Sequence, residues 1–444
     1  MRMKIPAAIA MVVIAAAVIV TAGGARNAGD RTVGGAASVV PANAVAFAAI
    51  DTDGSSAQSQ TVNALLAKFP NLVTQLQQRF EQQTKLSWAN DILPALGSEL
   101  DLAVLPGSPP ELVALTQPAD PSKLTALVAN AGHGLVMRAV GGWTAIAGST
   151  PALDALTNAT ATLAQDATYV SATSNLAADA LVRAYANGAE AQQLLASLHG
   201  VTPSAPAKLQ WAAADVVAES NGLKLEAFAQ TTAPGRADYS AQLPDAIPAG
   251  ALAVADFQAS GGAAALPSSS KLPQALQDLL AKLGPALGGE TALYVTGGLP
   301  PVVTLVTHPA DPQAAYTAID EEVAALASKG GVFSVIKPPL PYAVVDGALV
   351  VSTSTLGIQD FRSSGAKLSS DPAFAEAEQA SGLAPGQTTG FVYVNLADAL
   401  PLVQALGPMA GITVPSGLDA LRALTAFGAR SGGLATGTVF LEIK

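Results

Sequence analysis

The chain has 444 residues, too many for one compact core at about 100–200 residues per domain, so two domains are expected. Its formal net charge is -11 with no Lys/Arg-rich run, which excludes the basic face that a nucleic-acid binder needs. Cysteine is absent, which removes disulfides, thiolate zinc sites, iron–sulfur clusters, Cys nucleophiles and a lipid-modified N-terminal Cys together.

At the N-terminus, Arg2 and Lys4 precede an uncharged apolar run of 18 residues, Ile5 to Ala22. A charged segment followed by such a run reads as an export signal, and this one reaches the lower edge of membrane-spanning length. A retained anchor is favoured, with the bulk of the chain outside the cytoplasmic membrane. Gly23 and Ala25 form a −3/−1 pair, so the alternative is secretion after cleavage at Ala25. The Gly/Ala stretch from Gly23 to Ala37 follows as a linker.

The remainder reads as two copies of one module. Val40-Pro41-Ala42-Asn43-Ala44 returns as Ile247-Pro248-Ala249-Gly250-Ala251, and Pro94-Ala95-Leu96-Gly97 as Pro285-Ala286-Leu287-Gly288. Pro118-Ala119-Asp120-Pro121 returns as Pro309-Ala310-Asp311-Pro312, Ser149-Thr150 as Ser354-Thr355, and Ser220-Asn221-Gly222-Leu223 as Ser431-Gly432-Gly433-Leu434. Five matches in one order argue for tandem duplication. The organisation expected is an anchor and linker over 1–37, a first repeat over 38–232 and a second over 243–444. The boundary falls in the Pro/Gly-rich stretch Thr231 to Gly250.

Within a module, Phe47 to Ile50 is a short buried strand. Leu65, Phe69, Leu72, Leu76 and Phe80 then recur at helical spacing, broken by Pro70, which starts a second helix. In the second copy Leu272, Leu276, Leu279, Leu283 and Leu287 take that part. Strands Leu100 to Leu105 and Glu111 to Thr116 follow, matched by Thr291 to Thr296 and Val302 to Thr307. Asp120 and Asp311 are N-caps, each before a proline suited to the first helical position. Asp346-Gly347 between apolar runs marks a two-residue hairpin, with Gly141-Gly142 in the matching place. Helices open near Thr150 and Thr355. Strands Leu181 to Tyr185 and Phe391 to Asn395 come next, and a hairpin turning at Asn221-Gly222 closes the first module. Tight turns force antiparallel pairing, so the fold class is α+β: an antiparallel sheet covered by helices on one face.

The opening Val40-Pro41-Ala42-Asn43-Ala44-Val45-Ala46-Phe47, the passage from Ile92-Leu93-Pro94-Ala95-Leu96-Gly97 to Leu102-Ala103-Val104, and Phe391-Val392-Tyr393-Val394-Asn395-Leu396 resemble the bacterial domain-of-unknown-function 3352 family. The chain departs from its pattern at Pro94, where members commonly carry Trp before Leu-Gly. The resemblance implies an exported or membrane-linked protein with no established activity, and it transfers no site residue.

No catalytic, cofactor-binding or metal-binding residue is assigned. His133, His199 and His308 share no metal spacing and read as surface or turn residues. Ser268-Ser269-Ser270-Lys271 has the Ser-x-x-Lys form but lies in low-complexity sequence. Asp51-Thr52-Asp53-Gly54-Ser55 lacks the third acid and terminal Glu of a calcium loop and reads as an Asx turn. Lys337-Pro338-Pro339-Leu340-Pro341-Tyr342 reads as a rigid loop rather than a polyproline ligand. The expected function is a non-enzymatic binding or scaffold module taking a protein partner or an apolar lipid ligand, with no cofactor. The alternative is an envelope hydrolase with paired carboxylates such as Glu321 and Glu322 or Glu376 and Glu378, all of which look like solvated helix faces.

Overall fold

The computed structural model describes residues 33–84, 86–131, 134–191, 209–232, 239–259, 287–328, 337–407 and 415–444. The expected N-terminal helix lies outside these residues, as do Leu272, Leu276, Leu279 and Leu283 and the side chains of Leu72, Leu76 and Phe80. Among the described residues no helix is long and apolar enough to cross a membrane. The chain divides into two compact units: Met1–Gly235 with Ser431–Gly437 and Ile443–Lys444, and Arg236–Arg430 with Thr438–Glu442.

The first unit is built on eight strands: β1 (Ala46–Asp51), β2 (Glu99–Leu105), β3 (Glu111–Thr116), β4 (Val136–Val140), β5 (Trp143–Ala147), β6 (Val182–Asn187), β7 (Leu209–Glu219) and β8 (Gly222–Thr231). Their order is β4-β5-β3-β2-β1-β6-β7-β8. Neighbouring strands pair antiparallel throughout. The second unit carries β9 (Ala251–Ala259), β10 (Gly289–Thr296), β11 (Val302–Thr307), β12 (Tyr342–Val345), β13 (Ala348–Ser352), β14 (Gly390–Asn395), all but the last residue of β15 (Leu421–Ser431) and the Thr438–Glu442 part of β16 (Leu434–Ile443). Their order is β12-β13-β11-β10-β9-β14-β15-β16. Adding eight to each strand number of the first unit reproduces the second.

Local chemistry explains the element ends. Helix α1 (Ala57–Leu66) is capped by Ser56, and α2 (Pro70–Thr84) restarts at the proline that ended it. The short α3 (Leu93–Leu96) ends at Gly97, which has φ 70°. A Cβ there would stand 1.9 Å from the Gln117 carbonyl oxygen, so only glycine fits. Asp120 and Asp311 accept first-turn amides of α4 (Pro121–Ala131) and α7 (Pro312–Ser328), as expected. Ser149 and Ser354 cap α5 (Thr150–Thr157) and α8 (Thr355–Arg362). Asp166 and Asp371 cap α6 (Ala167–Thr173) and α9 (Pro372–Ser381). Asp346 and Gly347 take φ 51° and 83°, the two left-handed residues of the expected hairpin turn.

Helices cover both faces of the sheet, where one was expected. On one face of the first unit, Phe47 and Ala49 pack with Leu153, Leu156, Leu163, Tyr169 and Trp211. Ile50 alternates to the other face and packs with Ile92, Leu93, Leu96 and Leu100. A strand buried on both sides has apolar residues at successive positions, so the alternation could not say which face was covered. The second unit repeats this, with Val254, Tyr294, Phe374, Phe391 and Tyr393 in one cluster and Leu287, Ala315, Ile319 and Leu349 in another. Strand β7 runs from Leu209 to Glu219, paired along β6 and β8, and the hairpin turns at Asn221-Gly222 as expected.

Candidate functional site: a buried carboxyl clamp in each unit

The Gly/Ala stretch that reads as a linker ends in a strap lying in the core. Gly35–Ser38 forms one 3-10 turn, with Ala36 and Ala37 buried. Such a turn leaves its first amides without internal partners, and here two acids of β2 take them. Glu99 Oε1 accepts from Gly34 N at 2.5 Å and from Gly35 N at 2.9 Å. Asp101 Oδ2 accepts from Ala36 N at 3.0 Å. From β6, Arg183 donates to the Val33 carbonyl at 3.3 Å and to the Thr173 carbonyl of α6 at 2.9 Å. Gly35 sits under Trp143, where a Cβ would come within 3.0 Å of the indole ring.

The second unit holds its own strap the same way. Glu290 Oε1 accepts from Gln242 N at 2.6 Å and from Leu243 N at 2.8 Å, ahead of the 3-10 turn Leu243–Asp245. Asp256 on β9 accepts from the Tyr239 hydroxyl. Register relates the two acids. Asp101 faces Ala49 across β1 and β2, whereas Asp256 faces Ala292 across β9 and β10. The carboxylate has exchanged strands within the same facing pair.

Both acids are buried, at 0% and 1% exposure. Burial first, then the Glu99 carboxyl beside it, pushes Asp101 up to about 9. Burial and the Glu290 carboxyl push Asp256 up to about 7, opposed by the Tyr239 hydroxyl. Burial and the acid beside it also push the Tyr239 phenol up. Asp101 Oδ1 and Asp256 Oδ2 find no donor. A carboxyl beside a buried acid disfavours a second negative charge there, as in acid dyads that cannot ionise together. In the first unit the polar row continues to Asp215, opposite Arg183 on β7, whose carboxyl accepts from Ala177 N and is raised chiefly by burial. The second unit has Phe391 and Phe427 at the matching register positions.

The residues weighed on sequence grounds fall elsewhere. Asp51 and Asp53 accept from Asp53 N, Ser55 N and the Ser55 and Ser56 hydroxyls, which is the expected Asx loop. His133, His199 and Ser268 to Lys271 lie outside the described residues, and His308 is exposed just after β11. Among the described residues no group of three His, Cys, Asp or Glu could hold a metal ion. The proline-rich segment is tied to α7: Leu340 N donates to Asp320 at 2.8 Å, the Tyr316 hydroxyl to the Leu340 carbonyl at 3.1 Å, and Tyr342 stacks on Tyr316. Glu321 and Glu376 are exposed, and Glu322 and Glu378 half-buried. A cavity of about 460 Å³ in the first unit is lined by Pro41 to Asn43, Leu105, Pro106, Ala155 and Asn158 to Ala161, with no carboxylate among them. The clamp acids escaped the sequence reading, although acids flanked by apolar residues inside strands (Leu100-Asp101-Leu102, Ala255-Asp256-Phe257) were the available signal.

No curated protein matches the chain. Solved structures similar to it include crystal forms IV, I and III of TP0453, each 12% identical, with TM-scores of 0.25, 0.26 and 0.24. They cover 44%, 45% and 44% of this chain and 79%, 79% and 78% of theirs. Residues 5–129, which include the first strap and both of its clamping acids, match the family model described as Protein of unknown function (DUF3352), and over that segment the chain is similar to this family.

Proposed function

We propose that the protein is a non-catalytic binding or scaffold module of the cell envelope, attached to the cytoplasmic membrane by its N-terminal apolar segment and built from two copies of one module. It takes a protein partner or an apolar lipid ligand. One observation carries the non-catalytic reading: in each carboxyl pair the aspartate is buried and the half-buried glutamate is engaged with backbone amides of the strap, and none of the four lines the cavity. An acid–base pair that works on substrate must reach it.

Strand order supports the duplication, as do matched hydrogen bonds. Leu163 N donates to the Val40 carbonyl and Leu368 N to the Ile247 carbonyl; Ala42 N donates to Ala161 and Ala249 N to Ala366. An apolar contact surface is offered in the second unit, where Leu293 and Val392 are 42% and 40% exposed on one sheet face, in register through Ala255.

Native mass spectrometry of the full chain, extracted gently with lipid, tests the reading. A reproducible lipid-sized added mass that is lost in Leu293→Asp supports an apolar ligand on this face. A bare mass in both proteins points to a protein partner. Turnover of an envelope ester or glycoside abolished by Glu99→Gln would overturn the non-catalytic reading.

A further inference from the structure

We propose that the carboxyl pairs Glu99–Asp101 and Glu290–Asp256 are proton-controlled latches: sharing a proton they hold the straps against the sheet, and losing it they release them. The geometry carries this. In each unit one glutamate takes two consecutive strap amides, and an aspartate buried beside it faces the strap or its tyrosine. The strap lies over the buried aspartate, so docking and desolvation of that acid are one event. When both carboxyls ionise, a buried aspartate anion stands beside a half-buried glutamate anion, and lifting the strap is the simplest motion that hydrates the aspartate.

The groups facing each pair set its response. Asp101 meets Glu99 on its own strand, Arg183 in the β6 register position beyond Ala49, and Tyr169 from α6, with Asp215 beyond Arg183; Val33 to Val40 brings no titratable side chain. Asp256 meets Glu290 from β10 and Tyr239 from its strap, which also carries Asp245, and β14 brings Phe391 in place of an arginine. Burial and the neighbouring acid favour the protonated form in both, so both latches open as pH rises, the second nearer neutrality.

The consequence for the first latch rests on the proposed membrane attachment. Val33 to Ser38 joins the apolar N-terminal segment to the sheet, and six residues paid out as extended chain lengthen that tether by up to about 20 Å. The latch itself requires no anchor, so the test below reads it whether or not the chain is membrane-bound.

The test is hydrogen exchange of the full chain from pH 6 to 9.5, with each rate divided by the intrinsic rate at that pH. Protection at Gly34, Gly35 and Ala36 is expected to fall about tenfold or more while the β2–β3 ladder stays protected. Gln242 and Leu243 are expected to lose protection at lower pH. Asp101→Asn and Asp256→Asn, which cannot ionise, should flatten the respective profiles. If either fails to fold, Glu99→Gln or Glu290→Gln removes the second charge and should flatten it too. Strap amides that open only together with the sheet, or variants that track the wild type, overturn the proposal.

Discussion

Replacing Asp101 by Asn is expected to stabilise the first unit at alkaline pH and to flatten its pH dependence. The asparagine carbonyl keeps the acceptor for Ala36 N, and its amide supplies a permanent donor toward Glu99 where the aspartate needs a proton. The folded-state value is raised above the unfolded one, so the acid's contribution is fully present below pH 3.8 and is lost as pH rises toward about 9. The ceiling on that loss is about 1.4 kcal/mol per pH unit for one group. Relaxation and water entry reduce it, so between pH 5 and 9 we expect a wild-type loss of about 2–4 kcal/mol and an advantage for the variant of about 1–3 kcal/mol at pH 8.5. Asp51 and Asp215 are also raised, chiefly by burial, so the variant keeps a shallower slope of the same sign. Urea titrations followed by tryptophan fluorescence isolate this unit, because all three tryptophans, Trp88, Trp143 and Trp211, belong to it. A variant less stable than wild type at pH 8.5, or wild-type stability that climbs from pH 5 to 9, would refute the argument.

Gly97→Ala puts a methyl group into the Gln117 carbonyl at a positive φ, and thermal denaturation should show a loss of more than about 2 kcal/mol. Removing the α5 cap with Ser149→Ala is expected to cost about 1 kcal/mol in the same assay, because Ala152 N loses its acceptor. Leu293→Asp, at an exposed position, should leave the unfolding free energy from urea titration followed by circular dichroism within about 0.5 kcal/mol of wild type while removing any lipid adduct. A large loss of stability there would mean that the side chain is core rather than contact surface.

Elements closed by their own local chemistry were legible in the sequence. Asp120-Pro121, Ser149 and Asp346-Gly347 each place the group that satisfies a terminus within three residues of it, and strands such as Glu111–Thr116 and Val302–Thr307 begin and end as expected. The straps were not legible. Val33 to Ser38 has no apolar period and two adjacent glycines, the signature of a linker, and what buries it are acids 64 and 65 residues further along the chain. Asp101 likewise resembled any polar residue in a half-exposed strand until the strap was seen to cover it. Contacts made at long sequence separation leave a composition signal only, here a carboxylate with no cation near it in sequence.

The exchange of the buried acid between facing strands gives the clamp argument its sharpest test. If the site needs a carboxyl beside the glutamate, and either strand can supply it, then Ala49→Asp should rescue Asp101→Ala, copying the arrangement of Asp256 and Ala292. The rescue has a predicted difference. An acid at position 49 stands opposite Arg183, where the second unit has Phe391 opposite Asp256. The guanidinium favours the ionised form, so the double variant should hold Gly34 and Gly35 protected in hydrogen exchange yet lose the steep loss of stability with rising pH. Asp101→Ala alone leaves Ala36 N buried without an acceptor and should cost about 1–3 kcal/mol. A double variant no more stable than the single one would mean that the carboxyl acts from β2 alone, and that the likeness of the two clamps is positional rather than chemical.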